Sequence, residues 1–186
     1  MKQTELIHSI ESFGWTITKD TVGDNLATFH LTDRIVSSIP RIQKLSSGFV
    51  LRMRESFSTD KFNQAISYIT EEASSYHSIK TRFGDDYRSS SFSIEDVERI
   101  AKLTNQWASQ QNIELELKRK RNLPTNSAGV LPLHHLGALA LGHGTKILSE
   151  YYEAFERGDR LGFVPYIQKS HIERALEFAQ NEDLES

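Results

Sequence analysis

The chain has 186 residues, 38% hydrophobic, 25% charged and 10% aromatic, with 10 glycines, 4 prolines and a formal net charge of −3. That mixture is too apolar for a disordered chain and too varied for a fibrous one, and a chain this long can bury roughly 70% of its unfolded surface in one core. Cysteine is absent, which excludes disulfides, thiolate metal sites, iron–sulfur clusters and cysteine nucleophiles.

Residues 4–13 open the chain with Leu6, Ile7, Ile10 and Phe13 at helical spacing, and Gly14 is placed to end that helix. From Trp15 the period becomes two. Trp15 and Ile17 alternate with threonines, residues 21–25 read as a turn, and Ala27, Phe29 and Leu31 form a second strand. Residues 34–45 are a third extended stretch, where Pro40 argues for an edge strand or a bulge. After a turn at Ser46, Ser47 and Gly48, Phe49, Leu51 and Met53 point one way and Val50, Arg52 and Arg54 the other. Four short strands with tight connections predict an antiparallel meander.

Ser58 or Thr59 caps a helix whose Phe62, Ala65, Ile66 and Ile69 make one apolar stripe. A fifth strand is expected over residues 76–83, then a polar loop over 84–91. Ser93 to Asp96 resembles a capping box, and Val97, Ile100, Ala101, Thr104, Trp107 and Ala108 share the face of the helix it starts. Ile113, Leu115 and Leu117 alternate with charged residues and predict a sixth strand. Pro132 suits the first turn of a helix running to about Arg157, and a last helix covers residues 168–180. The order lacks regular βα alternation, so the expected fold is α+β. Its mainly antiparallel sheet has helices packed on one face and ends in a C-terminal helical pair. One domain over 1–186 is expected, with a sub-boundary near 122–131.

The charge balance of 22 basic against 25 acidic residues lacks the basic excess of a general nucleic-acid binder. Residues 1–149 carry 18 basic and 16 acidic side chains, whereas residues 150–186 carry 4 and 9, which reads as a solvated acidic end. The first eight residues lack the apolar stretch of a secretory signal, and no run approaches the ~20 apolar residues that span a bilayer. A cytoplasmic protein without membrane contact is expected.

Catalytic motifs fail one by one. Residues 137–146 are glycine-rich, but Thr145 precedes Lys146, the reverse of a P-loop, so the small residues at 137, 140 and 144 read as a close helix contact. His134 and His135 are adjacent and diverge by about 100° on a helix, and His143 lies about 12 Å further along its axis. Only a set from distant elements, such as His77, His135 and Asp85, is left for a metal, and no cofactor is expected. No G-x-S-x-G elbow occurs. Lys118, Arg119, Lys120 and Arg121 are the sole dense basic run, and on a strand they would alternate between faces. Phe163 and Tyr166 belong to an apolar cluster that suits either a packed connection or a partner contact.

The helix–meander–helix opening is similar in architecture to bacterial secretion chaperones, small acidic α/β dimers that bind extended effector segments, a likeness of fold without a shared motif. The favoured function is a non-enzymatic protein-binding or adaptor domain, chaperone-like or inhibitor-like. It would engage a protein partner or a second copy through an edge near Pro40 or through Lys118, Arg119, Lys120, Arg121, Phe163 and Tyr166. The alternative is a small enzyme using His134, His135 or His143 as base beside Asp85 or Asp86. The second alternative is a weak nucleic-acid binder through the basic run at 118–121.

Overall fold

A computed structural model describes residues 1–20, 22–72 and 76–185. Its elements are α1 (Gln3–Ser12), β1 (Thr16–Lys19), β2 (Asn25–His30), β3 (Ile35–Leu45), β4 (Gly48–Ser58), α2 (Asp60–Thr70), β5 (Lys80–Phe83), β6 (Tyr87–Ser89), α3 (Ile94–Ser109), α4 (Ile113–Arg121), α5 (Leu131–Ala140), α6 (Thr145–Glu156) and α7 (Lys169–Glu185). The protein is α+β. The strands form an antiparallel sheet in the order β1-β2-β3-β4-β5, with β6 also paired to β4. The chain divides into two compact units, Met1–Phe57 with Lys80–Gln111, and Ser58–Ile79 with Asn112–Ser186.

In the first unit, α1 and α3 pack on each other and on β3. Strand alternation sends Leu51, Met53 and Phe57 of β4 into the core, where Val97, Ile100 and Trp107 of α3 are also buried. Ser93 and Asp96 form the expected capping box, each side chain accepting from the other's backbone amide at 3.3 and 3.0 Å. The turn expected at residues 21–25 begins at Thr21, which lies outside the described residues; beyond it, Asp20 accepts from the amides of Val22 and Asp24.

Pro40 requires a correction. The third strand is not an edge, because β3 lies between β2 and β4. Proline is tolerated there because the pairing with β2 ends at Ser38. Beyond that point the Gln3 amide nitrogen donates to the Pro40 carbonyl at 2.9 Å, and its oxygen accepts from the Ile42 amide at 3.0 Å. One side chain thus takes up backbone groups that a neighbouring strand would otherwise bond.

The second unit is helical. Phe62, Ala65, Ile66 and Ile69 of α2 are buried as the stripe predicts, and Thr59 caps the helix by accepting from the Phe62 amide at 3.1 Å. Gly137 of α5 lies against Ile66 with no room for a side chain, so α5 and α2 approach closely. The last two helices, α6 and α7, pack on one another. Leu136, Leu139, Leu148, Phe163, Ile167 and Ile172 are buried in their shared core.

Three further expectations are overturned. The sixth strand is the helix α4: Leu115, whose alternation with Ile113 and Leu117 suggested a strand, is 47% exposed. Asn112 caps α4 by accepting from the Leu115 amide at 2.9 Å. Glutamates in its first turn and cations in its last complement the helix dipole. The helix expected from Pro132 to Arg157 is two helices, broken where His143 takes φ 55° and the Gly144 amide donates to the Leu139 carbonyl. The polar loop at 84–91 contains a strand, β6, set by its pairing to β4.

Candidate functional site

The histidines singled out in the sequence are held by very different surroundings. His134 of α5 is 3% exposed, with its ring edge-on to Phe62 and His77 at centroid distances of 5.5 and 5.8 Å. The Lys120 amine donates to its Nδ1 at 3.2 Å, which leaves the proton on Nε2, an atom with no hydrogen-bond partner among the described residues. Burial, with Lys120 and His77 close by, pushes the His134 pKa down to about 3. Burial likewise lowers those of His77 and Lys120. His135 is also buried; its Nδ1 donates to the Lys120 carbonyl and its Nε2 accepts from the Tyr151 hydroxyl, both at 3.1 Å. His143 stands in solvent beside Asp183, 2.9 Å from its carboxylate.

No carboxylate among the described residues hydrogen-bonds His134 or His135, and no cluster of three metal-ligating side chains occurs among them. Asp85 and Asp86 belong to the first unit and all three histidines to the second.

The basic run forms the last turn of α4, not a strand. Arg119 pairs with Glu116 at 2.7 Å, Arg121 pairs with Glu114, Lys120 turns inward to His134, and Lys118 is exposed. Four successive helical positions surround the axis, so these cations do not share a face. Phe163 is 4% exposed against Tyr151, Phe155 and His135, and is core. Tyr166 lies on the surface, its hydroxyl donating to the Gly129 carbonyl.

A different constellation emerges on the sheet of the first unit. Of the β4 residues that point away from the Leu51 and Met53 core, Arg52 and Arg54 are exposed, while Val50 and Ser56 are buried. A hydroxyl contact of 2.6 Å between Ser37 and Ser56 puts the Ser37, Ile39 and Arg41 side of β3 on that same face. Pairing of Arg54 with Phe83 in β5 adds an aromatic ring. Ile39, Arg41, Arg52, Arg54 and Phe83 line a hollow of about 350 Å³ that Asp24 and Asp86 also border.

Its charges are arranged in pairs. Asp86 takes Arg52 through both oxygens, at 2.7 Å to Nε and 3.1 Å to a terminal nitrogen, and meets Arg88 at 3.4 Å. The bond to Arg52 holds the Asp86 carboxyl below the usual aspartate range. Asp24 pairs with Arg41. Arg54 instead lies over the Phe83 ring at 5.5 Å, and Phe83 is 84% exposed. No carboxylate among the described residues pairs with Arg54.

Behind this face the framework is fixed by buried polar contacts. Glu55 is fully buried, takes the Thr104 hydroxyl at 2.8 Å and pairs with Arg82, whose guanidinium lies 4.7 Å from the Trp107 ring. Gly84 joins the β5 end to this wall: its amide bonds the Met53 carbonyl, and a side chain there would meet that oxygen at 2.6 Å.

The second unit has a depression of about 520 Å³ bordered by Tyr68, Glu71, Glu72, Arg174 and Glu177. Its one cation is committed: Arg174 bonds the Ile69 carbonyl at 2.8 Å and pairs with Glu71.

Arg41, Arg54 and Phe83 were not candidates by sequence. The signal for Arg52 and Arg54 is the polar phase of β4's alternation, which alone reads as an ordinary solvated face.

Fold and site together define an α+β protein with an arginine-lined, aromatic-edged sheet face. Residues 2–180 match the model of a family described as a family of unknown function, DUF6990, and the chain belongs to that family. No curated protein and no solved structure matches it. No helix among the described residues is long and apolar enough to cross a membrane.

Proposed function

We propose that this chain is a non-enzymatic protein-binding domain of the adaptor type, and that its partner docks on the open sheet face around Phe83. The observation that carries the reading is a large aromatic ring 84% exposed at the rim of a concave surface, with Arg54 stacked on it. Aromatic and arginine side chains are enriched where proteins bind one another, and they contribute most when a partner removes the surrounding water. Arg41, Arg52 and Arg88 extend the surface with guanidinium groups whose pairs are solvent-exposed and so cheaply exchanged. The buried Glu55 ties β4 to α3 through Thr104 and to β5 through Arg82, which favours a preformed surface.

Photo-crosslinking in the native cell tests this. With a benzophenone amino acid at position 83, the expected result is a discrete crosslinked protein species. The same group at position 103, on α3 against the sheet's other face, should give none of it. Equal patterns at the two positions, or no protein adduct at position 83, would overturn the reading. An adduct to a second copy would make the chain its own partner.

A further inference from the structure

The hollow's cations are of two kinds, and the difference specifies a partner. Arg41 and Arg52 already hold carboxylates that the protein itself supplies, Asp86 being shared with Arg88 nearby, while Arg54 holds only an aromatic ring. We infer that the hollow recognises an extended acidic segment of another protein that also carries apolar side chains, with Asp24 and Asp86 as resident competitors for the arginines its carboxylates need. The inference rests on the binding reading above and names the chemistry of the partner.

Asp86 shows what the surface accepts. It meets Arg52 through two parallel contacts, the arrangement in which a guanidinium fork matches a carboxylate. Asp86 and Arg52 are both partly exposed, so the pair exchanges with solvent and with an incoming acid at small cost. Arg54 is presented to solvent with its charge uncompensated and needs no such exchange. Phe83 and Ile39 give the same segment apolar surface. A phosphate backbone would meet the same arginines and the same carboxylates but brings no apolar side chains to Ile39 and Phe83, and the oligouridylate probe below separates the two. A basic segment would face an arginine majority.

The resident carboxylates make a prediction that ordinary contact residues do not. Removing a contact residue weakens binding, whereas neutralising a competitor strengthens it. The test uses the full chain and fluorescence anisotropy of four labelled probes: a ten-residue peptide alternating glutamate with phenylalanine, the same peptide with lysine for glutamate, the same with serine for phenylalanine, and a ten-nucleotide oligouridylate. The glutamate–phenylalanine peptide should bind, more weakly as salt rises, and at least about tenfold more tightly than the other three. Asp86→Asn should raise its affinity roughly threefold or more, the gain expected when an exposed pair no longer competes. Arg54→Ala and Phe83→Ala should each lower it about tenfold.

An affinity that is unchanged or reduced in Asp86→Asn overturns the inference, as does tighter binding of the lysine peptide or the oligouridylate. Should Asp86→Asn disturb the fold by circular dichroism, Asp24→Asn puts the same question at Arg41. If no peptide binds the folded chain while the crosslink at position 83 persists, the acidic partner is wrong and the binding surface stands. Loss of that crosslink removes both.

Discussion

In the first unit a cation and a ring, Arg54 and Phe83, lie against each other in solvent at the rim of a hollow. In the second, a cation and a ring, Lys120 and His134, meet inside a helical core with Phe62 and His77 around them. The ingredients are alike, but the exchangeability of their contacts is opposite. A guanidinium at a wet surface can trade one carboxylate for another at little cost, whereas a buried imidazole that loses its neighbour keeps its desolvation penalty. The proposed binding surface therefore rests on ordinary-looking arginines, whereas His134 and His135, two of the histidines that attract attention in the sequence, are buried inside the second unit.

The sharpest way to break this comparison is to truncate a ring on each side of it. Phe163 packs against Tyr151 and Phe155 in the core of the second unit. Phe163→Ala should cost about 3–5 kcal/mol, the usual range for emptying a buried phenylalanine site. Amide hydrogen exchange over α5 and α7 should lose protection accordingly. Protection equal to the parent's would mean that Phe163 belongs to a surface, as one reading of the sequence had it.

A smaller effect comes from acid. In the unfolded chain His134 binds its proton below about pH 6.5, whereas in the folded chain it does so only below about 3. Between those values unfolding takes up a proton, so the contribution is complete above pH 6.5 and is lost progressively on acidification. The slope is up to about 1.4 kcal/mol per pH unit, or about 2 kcal/mol by pH 5. Urea midpoints at pH 7.5 and pH 5 should therefore separate less in His134→Gln than in the parent. An identical separation would place that imidazole in contact with water, and the contrast between the units would fail.

How much of this was legible in the sequence follows from the range of the signals. The meander, the α2 stripe and the Ser93–Asp96 capping box are local, each written in fewer than about a dozen residues. α4 misleads because Leu115 faces solvent, and periodicity cannot tell an exposed leucine from a buried one. The break at His143 needs a non-glycine residue at positive φ, which sequence pattern does not announce. The hollow was the least legible feature. Arg52 and Arg54 are visible as one phase of β4, and Asp86 as a loop acid. Their convergence depends on Arg54 pairing with Phe83 and on Asp86 folding back to Arg52, contacts set by strand register rather than by local pattern.

The least expected change in stability sharpens the comparison from the other side. Phe83→Ala removes a ring that is 84% exposed and contacts the Arg54 guanidinium, so little apolar area returns to water on unfolding. The expected loss is within about 0.5 kcal/mol, as for most surface substitutions. Both tryptophans, Trp15 and Trp107, lie in the first unit, so their fluorescence reports on it during urea unfolding. The midpoint should hardly move while capture of the glutamate–phenylalanine peptide falls. A fall in the midpoint of the size expected for Phe163→Ala would show that Phe83 supports the sheet. The two rings would then be doing the same job, and the surface around Arg54 would have lost its strongest claim to a partner.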